Sequence, residues 1–163
     1  MTTTGQRSDA PPTHLPPTAG RVVVGLDGSA ASHQALGYAA AVARWQNWTL
    51  HIVHTWHVNY PASTFAIGLG EIVTAASDEA FAIVRKAEHE VLGDASAIEV
   101  RRSIEEGAPA HTLIELSRGA DLLVVGSRGL GGFSSLALGS VGQACVHHAH
   151  CPVLIVRPKD AES

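Results

Sequence analysis

The segment DLLVVGSRGLGGFSSLALGSV, residues 121–141, joins an apolar run to a glycine-rich loop and then to a helical pattern. The run LLVVG is continuously apolar, as expected of a parallel strand that helices cover on both faces. The loop glycines let backbone amides approach a ligand closely. Gly139-Ser140 then opens a helix, whose N-terminus offers unpaired N–H groups to a phosphate. The alternative is a flexible surface loop that ends in an ordinary serine N-cap.

Four further apolar runs have the length and the β-branched content of strands. These four runs cover residues 21–26, 48–56, 97–104 and 152–157, and the run at residues 121–126 makes five predicted strands. The third strand alternates apolar and polar side chains, which predicts an edge position. Apolar residues at helical spacing lie between the strands, and the predicted helices cover residues 30–44, 71–92, 109–118 and 140–148.

This alternation of strands and helices predicts an α/β protein with an open, doubly wound, five-stranded parallel sheet. The flavodoxin-like strand order 3-2-1-4-5 suits an edge-like third strand. Ligands bind such sheets beyond the carboxyl ends of the strands, where neighbouring crossovers leave on opposite faces. For this order the crevice lies between strands one and four, so residues 26–29 and 126–129 are expected to meet there.

Asp27 ends the first strand with a carboxylate at the predicted crevice. It could accept hydrogen bonds from ribose hydroxyls or hold Mg²⁺ on phosphate oxygens, and the alternative is a turn aspartate that accepts from the amide of Ser29. Arg128 is a second phosphate candidate, which could equally point to solvent. The chain has no GxxxxGK[ST] and no GxGxxG after the first strand, so kinase-like and dehydrogenase-like assignments lose their main support.

Length and composition bound the class of protein. The 163 residues suffice for one domain whose core needs no disulfide or metal. Apolar residues make up 45% and charged residues 16%, which predicts a globular chain with enough apolar surface to make oligomerisation a reasonable expectation. The net charge of −4 offers no attraction for nucleic acid or for an anionic membrane. No apolar run approaches the roughly 20 residues that span a bilayer.

The ends of the chain differ in composition from its middle. Residues 1–20 hold four of the eight prolines and little apolar surface, which predicts a disordered N-terminal tail. A single domain over residues 21–158 follows, and residues 159–163 form a short C-terminal tail. Two cysteines and the lack of a signal-peptide pattern predict a reduced, cytoplasmic protein.

The spacing of the glycine motif resembles that of a known family. Gly126-x-x-Gly129, nine further residues and Gly139-Ser140 match the nucleotide motif of the ATP-binding branch of the universal stress protein family. The segments VVVGLDGSAAS, EGAPAHTLIELSRGADLLVVGSRG and GSVGQACVHHAHCPVLIVRP also look like blocks of that family. The resemblance covers about residues 21–158 and implies the adenine nucleotide alpha hydrolase-like form of the fold.

The resemblance implies a site for ATP, with or without Mg²⁺. Its ribose would lie near Asp27 and its adenine near the end of the second strand, around Thr55. The phosphates would rest on the backbone of the glycine motif, at Gly126, Ser127, Gly129, Gly139, Ser140 and Val141. Val125 and Arg128 complete the expected cofactor-binding residues. The family also pairs its fifth strands across a homodimer, here through residues 152–156, and an uncovered apolar edge is otherwise an aggregation hazard. Residues 57–70, where this chain departs from simpler members, could form a lid or merely connect.

Histidines and cysteines crowd the segment CVHHAHC, residues 145–151, and could supply four zinc ligands. The spacing argues against a metal site, because Cys145 and His148 share a helix face that His147 does not, and Cys151 leads into a buried strand. His51, His54 and His57 recur at every third position, which on a strand alternates faces. We interpret His54 as a core histidine.

The sequence therefore predicts an ATP-binding protein with a regulatory or sensing role in a stress response, exerted through nucleotide-dependent dimer or partner interactions. Binding rather than turnover is expected, because only Asp27, Arg128 and a Mg²⁺ ion could assist hydrolysis. Three alternatives remain open: a slow ATPase, a binder of another adenine nucleotide such as cyclic AMP, and a structural dimer whose glycine loop stays vacant.

Overall fold

The computed structural model of the chain describes residues 20–58, 69–93, 98–130 and 138–158. Both predicted tails, apart from Gly20, lie outside the described residues, as do residues 59–68 of the loop at 57–70 and residues 131–137 of the glycine-rich loop.

Five parallel strands and four helices alternate along the described part of the chain, in the sheet order β3-β2-β1-β4-β5. This confirms the predicted α/β class, the flavodoxin-like strand order and the edge position of the third strand. The strands are β1 (Arg21–Gly25), β2 (Thr49–Trp56), β3 (Val100–Glu106), β4 (Leu122–Gly126) and β5 (Val153–Val156). The helices are α1 (Ala30–Gln46), α2 (Leu69–Leu92), α3 (Pro109–Leu116) and α4 (Ser140–His148).

Strand β3 covers Val100–Glu106, whereas residues 97–104 were predicted, of which residue 97 lies outside the described residues. Its pairing with β2 continues to the last pair, Trp56 with Glu106. The charged residues at this end did not look like strand because strands favour β-branched and aromatic side chains. An edge strand accepts them, because one of its long sides faces solvent and charge there discourages pairing with other chains.

Helix α1 follows β1 after a four-residue turn. Ser29 is its N-cap, as predicted, and the Ser29 hydroxyl accepts from the Ser32 amide at 3.2 Å. The C-cap of the helix is Asn47, which adopts a left-handed conformation with φ 56°. Asparagine adopts this conformation more readily than most residues.

Side chains on the central strands alternate between two apolar clusters, one on each face of the sheet. Val22 and Val24 of β1 pack with α1 and α2, whereas Val23 packs on the face of α3 and α4. The crossovers that follow β1 and β4 therefore lie on opposite faces of the sheet. A crevice opens at the carboxyl ends of these two strands as a consequence. In the part of the chain that the structure describes, no helix is both long and apolar enough to cross a membrane.

Candidate functional site

A cavity of about 620 Å³ lies at the carboxyl ends of β1 and β4, where the fold places its crevice. The turn from β1 to α1, the end of β2 and the first turns of α3 and α4 enclose it. The residues that line it are Gly25, Leu26, Asp27, Ser32, Val53, Thr55, His57, Pro109, Leu113, Val125, Gly126, Arg128, Gly129, Leu130, Gly139, Ser140, Val141 and Gly142.

The structure brings nine of the ten sequence-predicted site residues to this cavity, and Ser127 is the exception. Ser127 is buried, its N–H donates to the Val156 carbonyl at 2.7 Å, and its own carbonyl accepts from the Gly139 N–H at 2.7 Å. The amides of Ser127 and Gly139 therefore have partners within the protein. The glycine motif predicts that the backbone of both residues faces phosphate. In the structure these two amides instead bond the glycine loop to β5 and to itself.

The first turn of α4 faces the cavity with no side-chain cap. Its N-cap residue is Gly139, and no side-chain hydrogen bond caps the helix. Ser140, Val141 and Gly142 of this turn line the cavity. The first N–H groups of a helix have no intrahelical partner and carry partial positive charge. The cavity wall formed by α4 is therefore a region of hydrogen-bond donors suited to an anion.

Asp27 makes the turn contact that its sequence allowed, and it is also a lining residue of the cavity. Its Oδ1 accepts from the Ser29 amide at 3.0 Å, as a turn aspartate does. Its Oδ2 accepts from the Leu130 amide at 3.2 Å, a contact that the sequence did not predict. Asp27 thus ties the turn after β1 to the loop after β4, at the mouth of the cavity.

Two opposing effects set the pKa of Asp27. Burial raises it, but hydrogen bonds from Ser29, Ser32 and Leu130 together outweigh burial and hold the pKa below its ordinary value of 3.8. The carboxylate is therefore ionised at neutral pH. Because the folded-state pKa is the lower one, the stability that these bonds contribute is present above the unfolded-state pKa and is lost as the pH falls through the folded-state pKa.

The structure would respond differently to a side chain at each of the three glycines of the motif. A Cβ at Gly126 would lie 2.9 Å from the Cβ of Ala31 and 3.0 Å from its backbone carbon, and a Cβ at Gly129 would collide with the Asp27 carboxylate. By contrast, the nearest atoms to a Cβ at Gly139 lie 3.6 Å away, and its φ of −72° suits any residue. Packing against α1 therefore requires a glycine at position 126, and a side chain at position 129 would displace the Asp27 carboxylate, whereas neither reason applies to Gly139.

The inner part of the cavity is apolar. Val53, Leu113 and Val125 are buried and form its floor, with Pro109 beside them. Gly25 lets the floor close, because a Cβ at that position would lie 2.9 Å from Leu113 Cδ1. A flat apolar group could occupy this floor while an attached anion reached α4. The sequence reasoning missed the α3 residues, although the strand order alone brings the start of α3 to this end of the sheet.

Of the histidine and cysteine candidates, only His57 is among the residues that line the cavity. Burial, followed by the influence of Cys151, raises the pKa of Cys145 to about 11, so its thiol stays protonated at neutral pH. Among the residues that the structure describes, no three histidine, cysteine or acidic side chains are placed to hold a metal ion. His54 is 7% exposed and is a core histidine, as predicted.

An open, doubly wound sheet with a cavity at its central switch point defines an α/β protein of the flavodoxin-like class. The model of the universal stress protein family matches residues 18–157. The chain belongs to the universal stress protein family.

Individual relatives agree with this assignment. The chain is 30% identical over 142 residues to a universal stress protein of Mycolicibacterium smegmatis, a match covering 85% of this chain and 48% of that one. It is 30% identical over 145 residues to the universal stress protein YxiE of Bacillus subtilis, covering 84% and 98%. A solved universal stress protein in complex with cAMP superimposes with a TM-score of 0.62 at 31% identity, covering 86% and 98%. The chain thus spans about half the length of several curated relatives that it matches.

Proposed function

We propose that the chain binds ATP in the cavity at the carboxyl ends of β1 and β4. The observation that carries the proposal is the uncapped first turn of α4, which opens onto this cavity beside Arg128. Unpaired helix N–H groups and a guanidinium are the donors that phosphate oxygens prefer. The proposed nucleotide-binding domain comprises residues 21–158.

The proposed arrangement uses both halves of the cavity. The phosphates lie on the amides of Ser140 and Val141, next to Gly126, Gly129 and Gly139, while Ser127 supports the loop from behind. The ribose lies at Asp27. The adenine lies on the apolar floor, between Val125 and Thr55.

Charge in the cavity bears on the role of Mg²⁺. Arg128 is the one arginine or lysine, and Asp27 the one carboxylate, among the lining residues of the described chain. A triphosphate therefore meets little net positive charge from side chains. A Mg²⁺ ion on the phosphate oxygens would offset the excess negative charge, and the Asp27 carboxylate is an oxygen ligand of the kind that Mg²⁺ prefers.

Cyclic AMP is a second candidate ligand. The structural relative at 31% identity was solved in complex with cAMP. Cyclic AMP carries a single negative charge, which one arginine and one helix N-terminus can match without a metal ion. Both ligands would place a phosphate at α4 and a base on the apolar floor.

Calorimetric titration of the full chain with ATP, in the presence and absence of Mg²⁺, and with cyclic AMP tests the proposal. We expect saturable binding of ATP that strengthens with Mg²⁺, and competition between the two nucleotides for one site. If neither nucleotide releases or absorbs heat at millimolar concentration, the proposed function is wrong. Competition won by cyclic AMP at equal concentration would make cyclic AMP the preferred ligand.

Binding without rapid turnover is the proposed activity. Hydrolysis needs a group that positions or deprotonates water, and the Asp27 carboxylate already accepts from two backbone amides. We therefore expect phosphate release from Mg-ATP to match that of the Asp27→Ala variant. Release by the wild-type chain that disappears in Asp27→Ala would identify the chain as a slow ATPase.

We further propose a homodimer that forms through β5, at residues 152–156. The N–H groups of Leu123 and Ser127 donate to the carbonyls of Pro152 and Val156, so alternate residues of β5 face β4. Val153 and Ile155 then direct their backbone groups away from the sheet. The opposite edge strand, β3, is protected by charged side chains, whereas β5 is the apolar sequence VLIV. An exposed apolar edge strand is prone to aggregation, and pairing two β5 edges would remove this exposure.

A regulatory role in a stress response, with the nucleotide changing dimer or partner interactions, and a cytoplasmic location complete the proposal. The cavity and the proposed dimer edge at β5 are directly connected, because the Ser127 amide of the glycine loop donates to the Val156 carbonyl of β5.

A further inference from the structure

Strand β1 ends at a hydrogen bond from a side chain. The Leu26 amide donates to the Val53 carbonyl at 2.8 Å, as in a continuing ladder. The Leu26 carbonyl, however, accepts from Nδ1 of His54 at 2.7 Å. A carbonyl only accepts, so Nδ1 of His54 must carry the proton. The next residue is Asp27, where the chain turns into the cavity.

The imidazole contact lies in the protein interior. His54 is 7% exposed and Leu26 is 3% exposed. A buried carbonyl that loses its donor is costly, so without the imidazole the end of β1 would have to move to find another donor. Such a movement would be transmitted to Asp27, because Asp27 directly follows Leu26. The amides of Ser29 and Leu130, which both donate to Asp27, would move with it.

We propose that His54 is a positioning residue for the cavity: by donating to the Leu26 carbonyl it fixes where β1 ends and where the Asp27 carboxylate stands. It does not line the cavity itself. The consequence for nucleotide affinity rests on the proposed function, but the placement of Asp27 does not.

His51 provides a matched control on the same strand. It is also 7% exposed and makes one polar contact, between its Nε2 and Ser103 Oγ at 2.9 Å. It lies three residues from His54 and therefore on the other face of the sheet, and it does not line the cavity. Loss of either imidazole removes a buried histidine, but only loss of His54 removes the donor to Leu26.

The experiment compares His54→Leu, His54→Asn and His51→Leu with the wild-type chain. Asparagine carries an amide donor close to where Nδ1 lies, so His54→Asn keeps the bond that His54→Leu removes. Two quantities are measured: the titration of the Asp27 carboxyl by carbon-13 NMR, assigned with Asp27→Asn, and the affinity for Mg-ATP by calorimetry. Thermal midpoints are recorded for each variant.

We expect His54→Leu to raise the pKa of Asp27, because the bonds that lower it loosen, and to weaken ATP binding by about tenfold, the size of effect that a displaced contact group produces. His54→Asn should restore both quantities. His51→Leu should lower the thermal midpoint and leave both unchanged. If His54→Leu does not fold, His54→Gln replaces it, since its donor lies one bond farther out, and the same changes are expected.

An unchanged Asp27 titration in His54→Leu, with a thermal midpoint lowered as much as in His51→Leu, would overturn the proposal and make His54 a plain core residue. A wild-type chain that binds neither ATP nor cyclic AMP would instead contradict the proposed function alone. In that case the Asp27 titration still decides whether His54 positions this carboxylate.

Discussion

Gly139→Val is expected to abolish ATP binding while the chain still folds. The valine side chain would occupy the space in front of the α4 amides, where the phosphates are proposed to lie. The backbone at Gly139 suits any residue, and its nearest neighbours leave ordinary contact distance for a Cβ. Valine is a poorer N-cap residue than glycine, so we expect a loss of roughly 1 kcal/mol in the free energy of unfolding. Calorimetry measures the binding and urea unfolding measures the stability.

Two neighbouring variants separate blocking from unfolding. Gly139→Ser adds a hydroxyl that can cap α4, so it should raise stability by roughly 0.5 kcal/mol while weakening ATP binding, because the hydroxyl competes for the same amides. Gly126→Ala should lower the free energy of unfolding by about 1–3 kcal/mol, because the added Cβ would overlap with Ala31. If a folded Gly139→Val protein binds ATP with wild-type affinity, the phosphates do not lie at the start of α4.

Leu154→Lys is expected to convert the proposed homodimer into a monomer. Leu154 is 37% exposed on β5, so a lysine there can reach solvent without disturbing the core. Because β5 has only four residues, any antiparallel pairing of two copies brings both positions 154 close together. Like charges that face each other across paired strands are destabilising, and a lysine on an edge strand discourages pairing. Sedimentation velocity at several protein concentrations measures the change.

Phe81→Lys is the control for this substitution. Phe81 is 48% exposed, but it lies on α2. This helix packs over β2 and β3, near the edge of the sheet opposite to β5. We expect Phe81→Lys to remain a dimer. A wild-type chain that sediments as a monomer, or a Leu154→Lys protein that stays dimeric, would show that β5 is not the interface.

The sequence predicted the fold well because its strongest patterns are local. The runs in β1 and β4 are continuously apolar, as expected of parallel strands that helices cover on both faces, and the alternation in β3 is typical of an edge. The end of β3 was missed because Glu105 and Glu106 belong to the strand through their pairing with β2 rather than through their own preference.

The site was predictable in composition and less so in detail. Gly126 and Gly129 could be recognised as parts of a glycine motif, but the atoms that lie close to them belong to Ala31 and Asp27, about 100 positions earlier in the chain. The partners of the Ser127 amide and of His54 likewise depend on how distant strands are aligned. Sequence spacing contains no information on that alignment, so the roles of these residues emerge only in three dimensions.

An amide NMR titration of the nitrogen-15-labelled chain with Mg-ATP is the sharpest test of phosphate binding at α4, because it reports on the proposed phosphate donors one by one. We expect saturable shifts that are largest at Ser140 and Val141, smaller shifts of the Leu130 amide as the ribose approaches Asp27, and no such shifts in Gly139→Val. Saturable shifts confined to residues outside the cavity, or no shifts at millimolar ATP and cyclic AMP, would contradict it.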